Sequence, residues 1–384
     1  MNCIICKSDK TEILDTHDSS ISSDLQMISE RICTEICHSC GHVFNSDGSR
    51  NKTQNFYQNS YNLLDFSFVA ETTVYDKNKQ SSLSDWRLEQ LVIFSKKKNH
   101  GKILDIGCGK GNFLYKFHNQ NPGWKLYGIE SSKSLLSLAK KNIPEAVLIP
   151  SLYSKDQFNE KFDIIVALTV LEHLEDPIQF LQILYDDLSD DGIVCFDIPN
   201  FKSNPSDLFV YDHLSHFTKE TLTNVLLITG FKVVKIIEDI NKIPLLVICS
   251  KTTQKSLLNH YSMMNKLVSK HIEFNTEQFR IFEQVSKNYD DIGIIGNGIS
   301  LWAGIQNKKL LKSKIRCIYD ENDSIINSSI SNIPINDLKK LNNTETPLIL
   351  CLSPCYIENI LKKSLNIQNV FFPFDYDYYK QFFT

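Results

Sequence analysis

The chain has 384 residues, 42% of them hydrophobic, and a formal charge of −4 at pH 7. A chain of that size builds two or three domains with sizeable cores, and three are expected here. The charge excludes a global electrostatic footprint for nucleic acid or an anionic membrane, which leaves a small-molecule substrate as the expected partner.

The opening MNCIICKSDK has no basic segment followed by an apolar run, and no later run approaches the length of a spanning helix, so a cytoplasmic protein is expected. Eleven cysteines are an odd number, and five precede residue 41. Reduced thiols or metal ligation fit this better than disulfides. Cys3-Ile4-Ile5-Cys6 and Cys37-His38-Ser39-Cys40 each space two thiols by two residues, and Gly41 follows the second pair. One tight turn aims both sulfurs of a pair at one point, and two turns complete the tetrahedron that Zn2+ prefers. The other reading is reduced, unliganded thiols, since the thirty-residue spacer exceeds that of an ordinary zinc ribbon. Cys33, His38 and His42 lie near enough to substitute as ligands, although a strand entering the second pair is expected to carry Cys33.

Ile103 and Leu104 read as a buried parallel strand ending at Asp105, and Asn112 to His118 carries Phe113, Leu114 and Phe117 at helical spacing. Gly107, Gly109 and Gly111 fill the turn between them. Lacking Cβ, they permit unusual dihedrals and either bring a ligand to backbone amides at a helix N-terminus or let the helix pack close on the sheet. A second strand, Trp124 to Ile129, ends in Glu130, nineteen residues past Gly111, where an acid can accept from both ribose hydroxyls. A nucleoside ligand is therefore expected. Phe162 to Leu168 is a third strand, running into Leu171-Glu172-His173. A helix over Gln179 to Leu188 and strands over Gly192 to Phe196, Phe231 to Ile237 and Leu245 to Cys249 follow. This alternation predicts a mostly parallel sheet covered on both faces, with ligands beyond the strands' carboxyl ends, where His173 and Asp197 fall.

With an acid ahead of the glycines and the Glu172-His173 run behind the third strand, the middle of the chain resembles the class I S-adenosylmethionine-dependent methyltransferases. The resemblance implies S-adenosyl-L-methionine as cofactor. It implies that the amides around Gly107, Gly109 and Gly111 hold the methionine part, that Glu130 holds the ribose, and that Asp105 orients the loop or the methionine amine. The acid that contacts adenine in that family has no clean match in Leu148 to Leu152.

Further on, Val210-Tyr211-Asp212-His213-Leu214-Ser215-His216 follows a loop from Pro199 to Pro205. Two histidines, a carboxylate and a phenol so close together supply a proton acceptor, His213 by preference, and a sequence neighbour in Asp212. The bland reading is a lid in which the histidines only hydrogen-bond. His173 either contacts substrate or caps its helix.

Together these stretches make the chain similar to the sugar C-methyltransferases of deoxysugar pathways. In that family a Tyr-x-Glu-His stretch, followed by Leu-Ser-aromatic-Phe, carries the catalytic histidine; the resemblance puts His213 on that histidine and Asp212 on the glutamate. Val210 stands at the family's tyrosine and His216 at its aromatic residue, while Tyr57, Tyr61 and Tyr75 are candidates for a further tyrosine. The implied fold is α/β: a zinc-binding domain over 1–62, a class I methyltransferase core with Rossmann-like architecture over 63–250, a helical connector over 251–288 and a C-terminal Rossmann-like domain over 289–384.

In the connector, Leu257, Leu258, Met263, Leu267, Ile272, Phe279 and Phe282 make a rough apolar stripe. The last third repeats the strand, glycine turn and helix pattern at Ile292 to Ser300, with strands at Ile315 to Asp320 and Pro347 to Leu352. Its glycines either permit tight packing or help bind a nucleotide portion of the substrate. The aromatic tail Phe371 to Tyr379 reads as core or interface packing.

Three functions follow. The first is C-methylation of a nucleotide-linked keto-deoxysugar, in which His213 forms an enolate that His173 or Tyr211 stabilises. The second is O- or N-methylation of a sugar or related metabolite, and the third a non-catalytic, zinc-stabilised nucleoside-binding scaffold. The sequence carries no signal for the oligomeric state.

Overall fold

The computed structural model describes residues 1–48, 50–52, 55–60, 73–76, 79–95, 98–238, 244–254, 264–322, 325–341, 346–352, 360 and 370–371, with the backbone alone at 59–60, 73–76, 79–80 and 94–95. The first part of the chain supplies β1 (Thr11–His17), β2 (Ser20–Ile21), β3 (Met27–Ile28), β4 (Ile32–Cys37) and β5 (Val43–Asn45). β4 pairs antiparallel with both β1 and β5, and β2 with β3. Ile36 and Val43 pack with Phe201, Leu208 and Val268, whereas Phe44 joins the core of the middle sheet.

A hairpin of β6 (Thr73–Asp76) and β7 (Lys79–Ser82) leads into α1 (Leu83–Ser95). Strands and helices then alternate: β8 (Gly101–Ile106), α2 (Asn112–Gln120), β9 (Trp124–Ile129), α3 (Lys133–Asn142), β10 (Val147–Ile149), β11 (Phe162–Leu168), α4 (Pro177–Asp187) and β12 (Leu188–Pro199). After β13 (Ser215–His216) come α5 (Lys219–Ile228), β14 (Phe231–Ile237) and β15 (Pro244–Lys251). Seven strands form one sheet in the order β10-β9-β8-β11-β12-β15-β14. It is parallel from β10 to β12, and β15 runs antiparallel to both of its neighbours. Only six residues separate Ile237 from Pro244, too few for a crossover, so that pair is antiparallel.

Burial explains the sequence pattern. β11 sits inside the sheet with helices on both faces and is buried at every position except Asp163, so it reads as a continuous apolar run. α2 turns Phe113, Leu114 and Phe117 inward, and α3 turns Leu135, Leu136 and Ala139. Each such aliphatic or aromatic side chain contributes about 1.5–3 kcal/mol on burial. α4 starts where Asp176 accepts from the Gln179 amide at 3.0 Å and Pro177 takes the first helical position.

The last third contains α6 (Met264–Asn288), β16 (Ile292–Ile295), α7 (Ile299–Gln306), β17 (Ile315–Asp320), β18 (Ser329–Ile330), β19 (Ile333–Asp337), β20 (Leu348–Leu350) and β21 (Val370–Phe371). Its sheet runs β18-β19-β17-β16-β20-β21, and only β18 is antiparallel to its neighbour. A Cβ on Gly296 would meet Leu352 Cδ2 at 2.3 Å and one on Gly298 the Cys351 carbonyl oxygen at 2.9 Å, so protein atoms crowd this glycine turn. Of the expected stripe, Phe282 is buried on α6, while Leu257, Leu258 and Met263 lie outside the described residues, as do residues 372–379 of the tail.

One connection crosses the expected domain order. β13, which belongs to the histidine stretch, pairs antiparallel with β5 and completes the N-terminal sheet as β1-β4-β5-β13. Ile21 and Phe209 likewise sit in the same buried cluster as Ile294, Trp302 and Ile318 of the last third.

Candidate functional site

β8 delivers the chain into a turn with φ of 72° at Gly107, 53° at Gly109 and 81° at Gly111, the left-handed region that side chains disfavour. The three glycines answer different needs. A Cβ at Gly111 would stand 2.6 Å from Ile143 Cδ1, so this glycine lets α2 pack on the end of α3. A Cβ at Gly107 would meet Val170 Cγ2 at 2.9 Å. At Gly109 it would meet nothing within 4 Å, so this position leaves open space for a ligand.

The expectation that these amides donate to a ligand needs correction. Gly107 and Cys108 donate to the Ile129 carbonyl at 2.8 and 3.0 Å, and Gly111 to Cys108 at 2.9 Å. The Gly109 amide donates to Glu130 Oε2 at 3.0 Å, and the Ser132 amide to Glu130 Oε1 at 2.7 Å. The turn therefore offers a ligand close approach to bare backbone, and the Gly109, Ser131 and Ser132 amides with the Ser131 side chain fix the Glu130 carboxylate beside it. Burial raises the Glu130 pKa against these hydrogen bonds. Burial likewise pushes Asp105 up to about 8, with Arg87 opposing the shift. Arg87 Nε donates to Asp197 Oδ2 at 2.5 Å, tying α1 to the carboxyl end of β12. No motif in the sequence marks Arg87.

Val170, in contact range of Gly107, begins the short turn Leu171–His173. The glycine turn and the histidine cluster are thus neighbours at the carboxyl ends of the adjacent strands β8 and β11. His173 Nδ1 donates to the Asp212 carbonyl at 2.8 Å, and the Glu172 carbonyl accepts from the Leu214 amide at 2.8 Å. The rings of His173 and His213 lie 4.8 Å apart.

Asp212 adjoins His213 in sequence, but the carboxylate that meets the His213 ring is a different one. His213 Nδ1 donates to Asp207 Oδ1 at 2.7 Å, and His216 Nδ1 to Asp207 Oδ2 at 2.6 Å. Asp207 sits in the turn Pro205–Phe209, six residues before His213, where no periodicity signals its role. Asp212 instead lies 3.4 Å from His173 Nδ1 and accepts from the Ser23 amide at 2.8 Å, Ser23 Oγ at 2.6 Å and the Tyr57 hydroxyl at 2.8 Å. Among the candidate tyrosines Tyr57 reaches this cluster, its ring edge-on to His173 at 5.4 Å. Tyr61 and the Tyr75 side chain lie outside the described residues. Tyr211 turns elsewhere: its hydroxyl donates to Glu30 Oε2 at 3.1 Å and its ring packs on Phe56, so its expected role as an enolate stabiliser is not supported.

The environments set opposite protonation states. Burial pushes His173 down to about 4. Burial would lower His213 too, but the adjoining Asp207 carboxylate outweighs it and pushes His213 up to about 9. Asp207 is held well below the usual carboxylate range, because its two imidazole partners outweigh burial. Both Nδ1 atoms are committed as donors, which leaves Nε2 of each ring as the reactive position.

The N-terminal cysteines converge. Cys3, Cys6, Cys37 and Cys40 bring their sulfurs within 4.8 Å of one another, with Cys3 to Cys40 at 3.6 Å and Cys6 to Cys37 at 3.5 Å. A tetrahedron of Zn–S bonds has an edge of about 3.8 Å, so the donor set and its spacing fit Zn2+. Lys7 and Gly41, each directly after a pair, adopt φ of 59° and 74° and close the two turns. Cys33 lies on β4 outside the converging set, His38 faces Glu12 at 2.9 Å and His42 faces Ser215, so none of the three belongs to the cluster. Among the described residues no helix is long and apolar enough to cross a membrane.

Residues 75–236 match the model of a methyltransferase domain. A stretch of 107 residues is 26% identical to trans-aconitate 2-methyltransferase of Rhizobium etli, covering 28% of this chain and 42% of that protein. Another of 105 residues is 36% identical to tRNA U34 carboxymethyltransferase of Campylobacter lari, covering 25% and 35%. The chain thus spans less than half the length of these relatives. Among solved structures, the plantazolicin methyltransferase in complex with a desmethyl analogue and SAH aligns with 21% identity and a TM-score of 0.39, over 44% of this chain and 86% of that one. A methyltransferase from Clostridium acetobutylicum aligns with 16% identity and a TM-score of 0.37, over 44% and 90%. Residues 75–236 are thus similar to methyltransferase domains, and the mostly parallel seven-stranded sheet they contribute to has a Rossmann-like α/β arrangement.

Proposed function

We propose that the chain transfers a methyl group from S-adenosyl-L-methionine to a small molecule, and that the acceptor is a keto-deoxysugar carried on a nucleotide. What supports this is that β8 and β11 are paired neighbours, so the open glycine turn after β8 and the Leu171–His173 turn after β11 lie side by side, close enough that a Cβ on Gly107 would meet Val170 Cγ2 at 2.9 Å. Gly107, Gly109 and Gly111 bring the donor against bare backbone, Glu130 accepts from its ribose, and Asp105 orients the loop. The Asp207–His213 pair is a general base held by a carboxylate, the arrangement that removes a proton from carbon beside a ketone. The electron pair left on carbon then attacks the sulfonium methyl in line, helped by the proximity of the two bound molecules. His173, neutral at pH 7, donates its Nδ1 proton to the Asp212 carbonyl and so presents Nε2 to the acceptor. Asp212 fixes His173 rather than His213.

Cys3, Cys6, Cys37 and Cys40 would hold Zn2+ as a closed structural site. The domain division proposed is a zinc-binding part over 1–62, the core over 63–250, a connector over 251–288 and a Rossmann-like part over 289–384. Methylation at oxygen or nitrogen of a related metabolite would use the same base. Incubation with methyl-labelled donor and a panel of keto and reduced nucleotide sugars, with NMR of the product, separates these outcomes. Transfer to none of the panel would refute the sugar acceptor, and absence of donor uptake in calorimetry would refute the reading altogether.

A further inference from the structure

Glu172 plays no part in the base assigned above, yet its position is unusual. It follows the carboxyl end of β11, only 2% of it is exposed, and neither carboxyl oxygen has a hydrogen-bond partner among the described residues. A buried carboxyl without a partner is costly, by several kcal/mol when ionised, so a fold keeps one where a cation forms beside it. The cations available are the neighbouring imidazoles: Glu172, His173 and His213 place one ligand atom each within 4.8 Å of one another. Glu172 Oε1 lies 3.8 Å from His173 Nε2.

We propose that Glu172 is a positioning residue for the His213 base, its buried carboxylate supplying the counter-charge for the imidazolium that His213 becomes on taking the acceptor's proton. The inference rests on the methyl-transfer reading for its chemical meaning. The acceptor's C–H bond breaks, its proton moves to His213 Nε2, its electron pair stays on carbon, and that carbon takes the methyl from sulfur. His213 Nδ1 keeps its proton and its bond to Asp207 throughout. The charged and titratable groups facing this pair are Asp207 and His216 beyond it, Asp212 and His173 on the other side, and Asp197 from β12. Burial pushes Glu172 up to about 8, with His213 opposing, so it is ionised in the same alkaline range in which His213 is free to accept a proton.

The test is Glu172→Gln, with the His213 ring titrated by NMR in histidine-labelled, full-length protein. Loss of the counter-charge raises the His213 acid dissociation constant about tenfold. It also moves the acid limb of kcat/KM to lower pH and lowers the maximal rate, while S-adenosylmethionine affinity stays the same. If that variant takes up no donor and so has not folded, Glu172→Asp is read in the same way, with a smaller change in the same direction. An unchanged His213 titration in a variant that binds the donor overturns the inference. Because the titration needs no acceptor, that failure is distinct from failure of the methyl-transfer reading.

Discussion

Asp207 Oδ1 lies 2.7 Å from His213 Nδ1, with both residues buried. The carboxylate fixes the tautomer and leaves Nε2 as the acceptor. Asp207→Asn keeps the shape but removes the charge that holds the imidazole, and, because His213 and His216 bond separate oxygens, it turns an NH2 donor toward one of the two Nδ1–H groups. The variant is expected to bind the donor as the native protein does and to lose about 10²-fold or more in kcat. Methyl transfer within a factor of two of native would reject His213 as the base.

The same pair sets a pH dependence. His213 rises to about 9 in the folded protein, above its ordinary value, so at pH 7 it carries a proton it must shed before acting. kcat/KM is expected to climb with pH and level off above about 9. The sign for stability is opposite: the contribution of this pair is complete below the ordinary histidine value and disappears as pH rises through about 9. Optimal turnover therefore falls where this part of the fold is weakening. An initial-rate profile flat from pH 6 to pH 9 would contradict the assignment.

Two tyrosines give a contrasting pair. Tyr57 donates to Asp212, which is fully buried and charged, whereas Tyr211 donates to Glu30, which is already paired with Lys52 near the surface. Tyr57→Phe leaves the Asp212 carboxylate short of one donor and is expected to cost about 1–3 kcal/mol in denaturant unfolding, with a fall in activity through His173. Tyr211→Phe should cost less and leave turnover within about twofold, as expected of a packing residue. A Tyr211→Phe variant with turnover below a tenth of native would restore its catalytic role.

What could be read from the sequence was whatever repeats locally. The limits of β11 and β14 match the apolar runs Phe162 to Leu168 and Phe231 to Ile237: β11 is buried inside a parallel sheet, and β14, at the edge, still carries β-branched residues suited to a strand. The convergence of the four cysteines follows from two equal spacings. The partners of His213 and Asp212 were not legible. Asp207 reaches His213 through a short irregular turn, and Ser23 and Tyr57 reach Asp212 across more than 150 residues of sequence. No periodicity encodes contacts made by loops, and the adjacency of Asp212 to His213 in sequence does not tell which ring its carboxylate meets. The uses of the glycines in the turn were also hidden, since they depend on which neighbour each missing Cβ would strike.

Those glycines can be told apart by substitution. Gly109→Ala meets no atom within 4 Å and bears only the strain of its φ, about 1–2 kcal/mol. It fills the space proposed for the donor, so calorimetry should show weakened uptake of S-adenosylmethionine with a small fall in Tm. Gly111→Ala adds overlap with Ile143 Cδ1 to similar strain, about 1–3 kcal/mol more, and should lower Tm further. If Gly109→Ala binds the donor with native affinity, the open position is not where the donor sits.

The cysteine cluster and the histidine stretch are mechanically joined, which makes metal removal informative. β5 begins three residues after Cys40 and pairs with β13, and the Asn45 side chain donates to the His213 carbonyl at 2.9 Å. The Tyr211 amide also donates to the Ile21 carbonyl at 2.8 Å. The histidine stretch is thus held from the cysteine side by backbone pairing, while the backbone of the glycine turn hydrogen-bonds to residues at the ends of β8 and β9. Elemental analysis of the native protein is expected to find one zinc per chain. Stripping it with a chelator should speed amide exchange across residues 210–216 and abolish methyl transfer, because local opening follows the least supported backbone bonds. Donor affinity should hold within a factor of about three, since no ligand to the donor comes from the cysteine side. Native protein free of zinc, or stripped protein with full activity, would sever the link between the two sites.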